Sequence, residues 1–404
     1  MILDHPACLQ TIVREIPAPA QQTVGIEAAL SRVAASDLHA LLPQPGYRQS
    51  MRDGYLLSAI SARSAPKEGL PVLGTISAGD TDEVTLEPQT TLRIMTGAPV
   101  PVRAERVIPF EECREENGRV RIDVRTASRG KSYIQETGSE LALGTRIIAT
   151  GTVLQPGHLE MIAATGNCQL PVFLRPRAAY FCTGNELVDA GSRPRPGQKI
   201  SSNRHLLDGM IRQYGATPHY LGTIRDSLTA LAATFARLSD TGCDLAISTG
   251  GMGPGKYDLL EQAFLAAGGR LIYNRLDLIP GKNSLFGQID QTLFFGLPGP
   301  PGAVHSLMST LVGPALLSLQ GVAPSSPPTI TARLDQPLTI ARPGIMLLQG
   351  GILSLTDGCC RVRPAEKWQV PNGYLVIGAD RRSYHQGEPV EVLLTATPFG
   401  PASW

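Results

Sequence analysis

The sequence predicts a multidomain α/β plus β protein. It should contain a three-layer α/β/α domain with a mostly parallel sheet, a split helical linker domain carrying an inserted β-rich domain, and a small C-terminal β domain. Three observations carry that expectation. Between about residues 171 and 320, strand-like apolar runs alternate with stripes at helical spacing, the rhythm of a parallel sheet covered on both faces. Residues 46–138 break instead into short runs divided by turns. Beyond Gln320 the chain passes through "GVAPSSPPT", a linker composition, into period-two alternation. A chain of 404 residues exceeds one ordinary core, so roughly two to four domains are expected.

In chain order, "VGIEAALSRVAASDL" within residues 1–45 has apolar residues at a helical period, and "HLEMIAATG" within 139–170 restores that spacing. These two stretches make up the split helical domain. Between them, in 46–138, "LPVLGTISAG", "TTLRIMTG" and "RVRIDV" read as strands of the insertion. The α/β domain, 171–320, opens with the strand "RAAYFCTG" and a helical stripe of Leu207, Met210, Ile211 and Tyr214. "HYLGTI" is the next strand. Leu228, Leu231, Phe235 and Leu238 then recur at i, i+3, i+7 and i+10 on a second helix. "DLAIST" leads to a helix from about residue 258 with Leu260, Ala263, Phe264 and Ala267 on one stripe. "TLFFG" and a last helix through "VHSLMSTLVGPALLSL" complete the domain. In 321–404, "TITARLD", "GYLVIGA" and "VEVLLTA" alternate with a period near two.

Bulk properties narrow the function classes. The formal net charge of +1 gives no general attraction to nucleic acid or an anionic membrane, so an anionic ligand must be held by local groups. Seven cysteines (8, 113, 168, 182, 243, 359 and 360) lack CxxC spacing, which suits a reducing compartment better than a disulfide framework. Residues 1–25 carry Asp4, Arg14 and Glu15 and no long apolar segment, so no secretory signal is expected. No uninterrupted apolar run reaches about 18 residues, so no membrane span is expected either. The expected location is cytoplasmic.

In an open parallel sheet, ligands bind beyond the carboxyl ends of the strands, where loops and helix N-termini converge. The loops there are "TGNEL" (183–187), "IRDS" (224–227), "TGGMGPGKYD" (249–258), "PGK" (280–282) and "GLPGPPG" (296–302). Gly184, Gly250, Gly251, Gly253, Gly255, Gly281 and Gly299 would let the backbone approach a ligand closely, beside Thr183. Lys256 and Lys282 add positive charge suited to phosphate. Glu186, Asp226 and Asp258 are carboxylates suited to Mg²⁺, which takes one or two carboxylates along with ligand oxygens. Two of these acids have a second reading. Asp258 with Glu261 has the pattern of a helix-capping box, and Asp226 is equally placed to cap the helix after it.

Other chemistries do not match. "GGMGPGKY" (250–257) follows the first seven positions of the phosphate-loop pattern, but Tyr257 replaces the magnesium-binding hydroxyl and Pro254 removes a cradle N–H. No GxSxG elbow occurs, and the histidines lack metal-ligand spacing, so a serine hydrolase and a zinc enzyme are not expected.

Taken in order, these loops resemble the molybdopterin molybdenumtransferase family, the molybdenum insertases that include the C-terminal domain of gephyrin. "RIMTGAPVP" (93–101) is similar to a family signature almost letter for letter, and "SMRDGYLL" resembles its S-A-M-D-G-Y-A stretch. "YFCTGNELVDAG", "ISTGGMGPGKYD", "PGKN" and "FFGLPGPPGAV" resemble S-T-G-D-E-L, S-G-G-V-S-x-G-x-x-D, P-G-K-P and F-G-L-P-G-N-P-V-S. The resemblance covers about residues 20–320 well and the C-terminal domain poorly. It implies that adenylylated molybdopterin and molybdate are substrates, that Mg²⁺ is the cofactor, and that AMP is released as molybdenum enters the dithiolene. It also implies functional roles for Asp53, Thr96, Glu186, Asp226 and Asp258, with Pro298 and Pro301 in a proline loop. The last three acids would hold the metal, directly or through water, with Lys282 as an anion clamp. Family members are homodimers, so Asp53 and Thr96 would serve a cleft formed with the partner's α/β domain. The molybdopterin adenylyltransferase is a further expected partner.

Several positions depart from the family pattern. Asn185 and Ser201 stand where acids are usual, Gly253 replaces a serine, and Ile279 and Gln135 replace cationic residues. Pro300 and Ala303 replace Asn and Ser of the proline loop. The departures spare the carried-over acids and remove polar neighbours. That pattern suits a divergent insertase. It also suits a paralogue that binds the pterin nucleotide without inserting metal; a scaffold role has no positive support in these residues.

Overall fold

The computed structural model describes residues 2–65, 68–129, 131–252, 259–323 and 327–395. Its central unit is the α/β sheet. In chain order its elements are β1 (Arg177–Thr183), α1 (Ser202–Gln213), β2 (Thr217–Ile224), α2 (Leu228–Thr241), β3 (Leu245–Thr249), α3 (Leu259–Ala266), β4 (Arg270–Tyr273), β5 (Leu285–Ile289), β6 (Thr292–Leu297) and α4 (Pro301–Leu307). A π turn at Met308–Val312 continues α4 into a further helical segment, α5 (Gly313–Ser318).

The strands run in the order β2-β1-β3-β6-β5-β4. The first four are parallel, and β5 and β4 add in antiparallel fashion. The parallel part and its helices follow the sequence expectation; β4 and β5 were not expected. Both faces are covered, and the alternation along each strand shows why. Ala178, Tyr180, Leu245, Ile247, Leu293 and Phe295 face α1, α4 and α5, while Ala179, Phe181, Ala246 and Phe294 face α2 and α3. On the second face Phe294 lies 5.1 Å from both Phe235 and Phe264, centroid to centroid, and 6.3 Å from Phe181. This cluster clamps the two helices to the sheet through edge and stacked ring contacts.

A helix at His5–Arg14, capped by Asp4, packs Cys8, Leu9 and Ile12 into the first face of the same sheet. Residues 24–38, expected to be helical, have another structure. Gln21–Gly25 is a strand paired antiparallel with Gln169–Phe173, and only a 3₁₀ turn follows at Ile26–Ala28. Leu38–His39 pairs with Arg146–Ile148. Pairing with residues over a hundred positions away overrides the local spacing, and the buried Ala29, Ala34, Leu38, Ile148 and Val172 form one small core. The expected helix in the returning segment is present at Pro156–Ala164.

The insertion contains a six-stranded sheet built from Gly54–Leu57, Leu70–Ile76, Thr91–Ile94, Arg106–Pro109, Cys113–Glu116 and Arg119–Ile122. At the C-terminal end, Met346–Thr356, Cys359–Pro364, Thr329–Leu334, Pro389–Leu394 and Gly373–Ile377 pair in turn. The last strand pairs back with the first, closing a ring. Leu278–Ile279, on the loop between β4 and β5, pairs in parallel with the long strand of that ring and ties it to the α/β unit.

Phe294→Ala is expected to destabilise the α/β unit by about 3–5 kcal/mol. The measurement is amide hydrogen exchange, with loss of protection in β3 and β6. Unchanged protection there would show that the ring cluster does not hold the sheet to its helices.

Candidate active site

Four parallel strands end together at the carboxyl edge. Gly250, immediately after β3, has φ +91°, and a Cβ at that position would lie 2.4 Å from Thr183 O at the end of β1. Only glycine allows this crossing. The Gly250 amide donates to Leu297 O of β6 at 3.0 Å, and the Gly184 amide donates to Ile224 O of β2 at 3.2 Å. These bonds bring the loops after four strands to one point.

Above it opens a cavity of about 620 Å³, within the range of small-molecule and cofactor sites. Thr183, Gly184, Glu186, Asp226, Gly250, Gly251, Pro298, Gly299 and Pro301 all line it, so the structure brings together these nine residues singled out from sequence. Gly253, Gly255, Lys256 and Asp258 lie outside the described residues. Gly281 and Lys282 do not line this cavity. Their loop instead sends Pro280 into a neighbouring cleft of about 720 Å³, between the α/β unit and the C-terminal ring, where Trp368 is 93% exposed. Pro300 and Pro301 border both spaces.

The structure separates capping from chemistry at Asp226. Ser227 occupies the N-cap of α2 and its hydroxyl oxygen accepts from the Ala230 amide at 3.3 Å. The Asp226 carboxylate is therefore not the cap and lines the cavity. Its amide donates to Asn185 Oδ1 at 3.2 Å, so Asn185 fixes the Asp226 loop against the Glu186 turn.

A further part of the lining, beside the Glu186 turn, was not singled out as a binding surface. Lys199–Ile200 pairs in parallel with Leu187–Val188, and the Lys199 amide donates to Glu186 O at 2.8 Å. The chain then enters α1, and Lys199, Ser201, Ser202 and Asn203 line the cavity. Asn203 Nδ2 donates to Gly299 O at 2.8 Å, tying this wall to the proline loop. The available signal was "KISSN": a lysine, two serines and an asparagine directly before a helical stripe.

Glu186 and Asp226 are the cavity's acidic residues among those described, and no group of three or more His, Cys, Asp or Glu able to hold a metal occurs among the described residues. Two carboxylates with ligand oxygens completing the shell is the donor chemistry Mg²⁺ accepts.

Asp53 and Thr96 meet elsewhere, on the inserted β unit. Asp53 Oδ1 accepts from the Thr96 amide at 2.7 Å and from its hydroxyl at 2.8 Å. Gly54 explains the fixed turn: a Cβ there would fall 2.1 Å from Ile108 O of the adjoining strand. Neither Asp53 nor Thr96 lines the cavity of the same chain.

Comparisons with known proteins identify the family. The family described as MoeA N-terminal region (domain I and II) matches residues 5–166, and the probable molybdopterin binding domain matches residues 179–318. A molybdopterin molybdenumtransferase of Nostoc sp. is 31% identical over 308 residues, covering 75% of this chain and 70% of the relative. One from Bacillus subtilis is 28% identical over 385 residues, covering 92% and 89%. Among solved structures, a molybdopterin biosynthesis MoeA protein from Pyrococcus horikoshii is 25% identical with a TM-score of 0.85, covering 98% of this chain and 100% of that one. Among the described residues, no helix is long and apolar enough to cross a membrane.

The two Thr96 donors hold the Asp53 carboxyl below its ordinary pKa, the backbone amide contributing more than the hydroxyl. A depressed carboxyl stabilises the fold above its unfolded pKa, and that contribution is lost as pH falls through the folded value. Thr96→Val removes the hydroxyl and keeps the amide. The Asp53 pKa is expected to rise part of the way to normal, read by carboxyl carbon NMR titration; an unmoved titration would mean the hydroxyl does not contribute.

Proposed function

The chain belongs to the molybdopterin molybdenumtransferase family, and we propose from that premise how its residues divide the work. It is a transferase of molybdenum cofactor biosynthesis that inserts molybdenum. In our reading, adenylylated molybdopterin and molybdate are the substrates and AMP is the product released. The observation that carries this reading is the one cavity lined by Gly184, Gly250, Gly251 and Gly299 together with Glu186 and Asp226.

An adenylylated pterin brings a phosphoanhydride, whose cleavage needs its negative charge balanced and its oxygens oriented. The Gly184 and Gly250 amides are spent on Ile224 O and Leu297 O, so Gly251 and Gly299 are the glycines left to bind and orient it through backbone that no side chain screens. Glu186 and Asp226, with Asp258 as a third candidate, would hold Mg²⁺ directly or through water, and the ion when bound supplies charge neutralisation at the phosphates. Pro298 and Pro301 give the outer wall a stiff backbone. Lys256 is a candidate phosphate contact from the glycine loop and Lys282 from the loop that carries Pro280. A reducing, cytoplasmic setting suits the seven unpaired cysteines.

Asp53 and Thr96 are assigned to the same reaction through a second copy of the chain. In a homodimer, one protomer's inserted β unit would meet its partner's α/β cavity. The adenylylated substrate would come from the molybdopterin adenylyltransferase.

Asp226→Ala is expected to lower AMP release by about 100-fold or more, with little change in melting temperature because Ser227 keeps the helix cap. A lower melting temperature with turnover intact would overturn the role given to Asp226. Tight binding of the adenylylated pterin by wild-type protein, with no AMP released, would overturn the insertase mechanism itself. Mixing inactive Asp53→Ala and Asp226→Ala proteins should restore about a quarter of wild-type activity if each site draws on both copies. No recovery after subunit exchange, verified by mass spectrometry, would place both residues in one chain's site.

A further inference from the structure

The turn that presents Asp53 also presents a cation that the assignments above leave unused. Met51, Arg52 and Asp53 are exposed in succession, and Arg52 stands where the family stretch S-A-M-D-G-Y-A has a methionine. Among the described residues its guanidinium has no ion pair and no hydrogen bond. Its backbone, by contrast, is held firmly. The hydroxyl of Ser50, a residue 1% exposed, donates to Arg52 O at 2.6 Å, and its oxygen accepts from the Arg52 amide at 3.3 Å. Ser50 also joins this turn to the Thr96 loop. Its carbonyl oxygen accepts from the Gly97 amide at 2.8 Å, and its own amide donates to Ala98 O at 3.0 Å. A free positive head therefore stands on a fixed base, beside the Asp53–Thr96 pair. Arg48 shows the contrast, because its guanidinium is spent on Glu136 and on the carbonyls of Pro101 and Ala104.

The strand pair leading into this turn carries the position of a lost cation. Gln135, where the family pattern has a cationic residue, pairs with Gln49, and Ile134 pairs with Ser50. Both ends of the Gln135 amide are engaged within the chain: Oε1 accepts from Gln49 Nε2 at 2.9 Å, and Nε2 donates to Glu140 Oε1 at 2.6 Å. Gln135 is a strut, not a free donor. Arg52 lies three residues beyond Gln49, at most about 10 Å along the chain at about 3.3 Å per residue. That span is within the combined reach of two arginine side chains. The positive charge has moved to the neighbouring segment rather than disappeared.

What that charge serves follows from a shortage in the cavity. Among the described residues, one lysine, Lys199, and two carboxylates, Glu186 and Asp226, line it, so a phosphoanhydride meets more negative than positive charge there. Resting on the homodimeric insertase reading, we propose that Arg52 reaches from one protomer into its partner's cavity and binds a phosphate of the adenylylated pterin, replacing the cation missing at position 135. A guanidinium suits this task. Its planar fork of N–H donors matches two phosphate oxygens at once, and it stays charged at every working pH.

The test is calorimetric titration of the full-length protein with adenylylated molybdopterin, molybdate being withheld so that no molybdenum enters the dithiolene. Arg52→Met, which restores the family residue and breaks no side-chain bond among the described residues, should weaken binding tenfold or more at an unchanged melting temperature. Arg52→Lys keeps the charge and loses the fork, and should recover part of that loss. Adding Gln135→Arg to Arg52→Met should recover most of it, which a merely structural role for Arg52 would not allow. Wild-type protein that does not bind, Arg52→Met that binds as tightly as wild type, or weakened binding that Gln135→Arg leaves untouched would overturn the proposal. Delivery between copies is read from turnover at substrate far below KM. After subunit exchange, a mixture of Arg52→Met and Asp226→Ala proteins should release AMP at about a quarter of the wild-type rate. No recovery would place Arg52 in its own chain's site, against the proposal. The two readings fail separately. Normal AMP release with wild-type affinity in Arg52→Met sinks the Arg52 contact and leaves the insertase mechanism standing. Arg52-dependent binding without AMP release on adding molybdate does the reverse.

Discussion

The candidate site depends on one contact between backbones, the crossing of Gly250 over Thr183. Strands β1 and β3 are adjacent and parallel, with Cys182 opposite Thr249, so the chain leaving β3 must turn across the end of β1. Any side chain at 250 would collide with the Thr183 carbonyl. The same point receives Gly299, where an added Cβ would lie 3.8 Å from the Gly250 Cα. Three strand ends therefore meet as bare backbone, and the cavity floor consists of peptide groups rather than side chains. Such a floor presents fixed dipoles that need no reorganisation when charge develops above them. The loops around it supply Glu186 and Asp226, and a short strand beside Glu186 supplies Lys199.

Much of this was legible in the sequence because it rests on local rules. Parallel strands buried on both faces read as apolar runs, and each is followed by a helix with a stripe such as Leu231, Phe235 and Leu238. The rule that ligands sit beyond strand ends then gathers Thr183, Glu186, Asp226, Gly250 and Pro298 onto one edge without any coordinates. What stayed hidden was set by distant partners. Gln21–Gly25 becomes a strand because Gln169–Phe173 lies beside it, which no window of 15 residues contains. Strands β4 and β5 are short, and they pair antiparallel at the β6 edge of the parallel strands.

Side-chain roles were harder to read than backbone positions. Asp226 and Ser227 are neighbours, and both residue types cap helices well, so sequence offers no choice between them. The structure decides it, since only Ser227 reaches the Ala230 amide. Lys282 belongs to a loop whose glycine-proline content matches the others, yet Leu278–Ile279 pairs with the C-terminal ring and draws that loop toward the second cleft. Lys199 was inconspicuous because a turn-rich stretch separates it from Glu186 in sequence, whereas the pairing of Leu187–Val188 with Lys199–Ile200 makes the two neighbours.

The departures from the family pattern take on a common sense once these neighbours are known. Asn185 accepts the Asp226 amide through its side-chain carbonyl, a bond a carboxylate could also make, so the loop geometry is kept while a charge is dropped. Ser201 lies almost fully buried at the head of α1, where it drops the charge a carboxylate would bring. Pro300 replaces an amide side chain at the border of the two clefts with a ring that only shapes the wall. Each of these three changes lowers negative charge or side-chain polarity near the cavity, and Glu186 and Asp226 themselves are kept. With fewer acids, the cavity keeps Glu186 and Asp226 as its carboxylates among the described residues, with Lys199 beside Glu186.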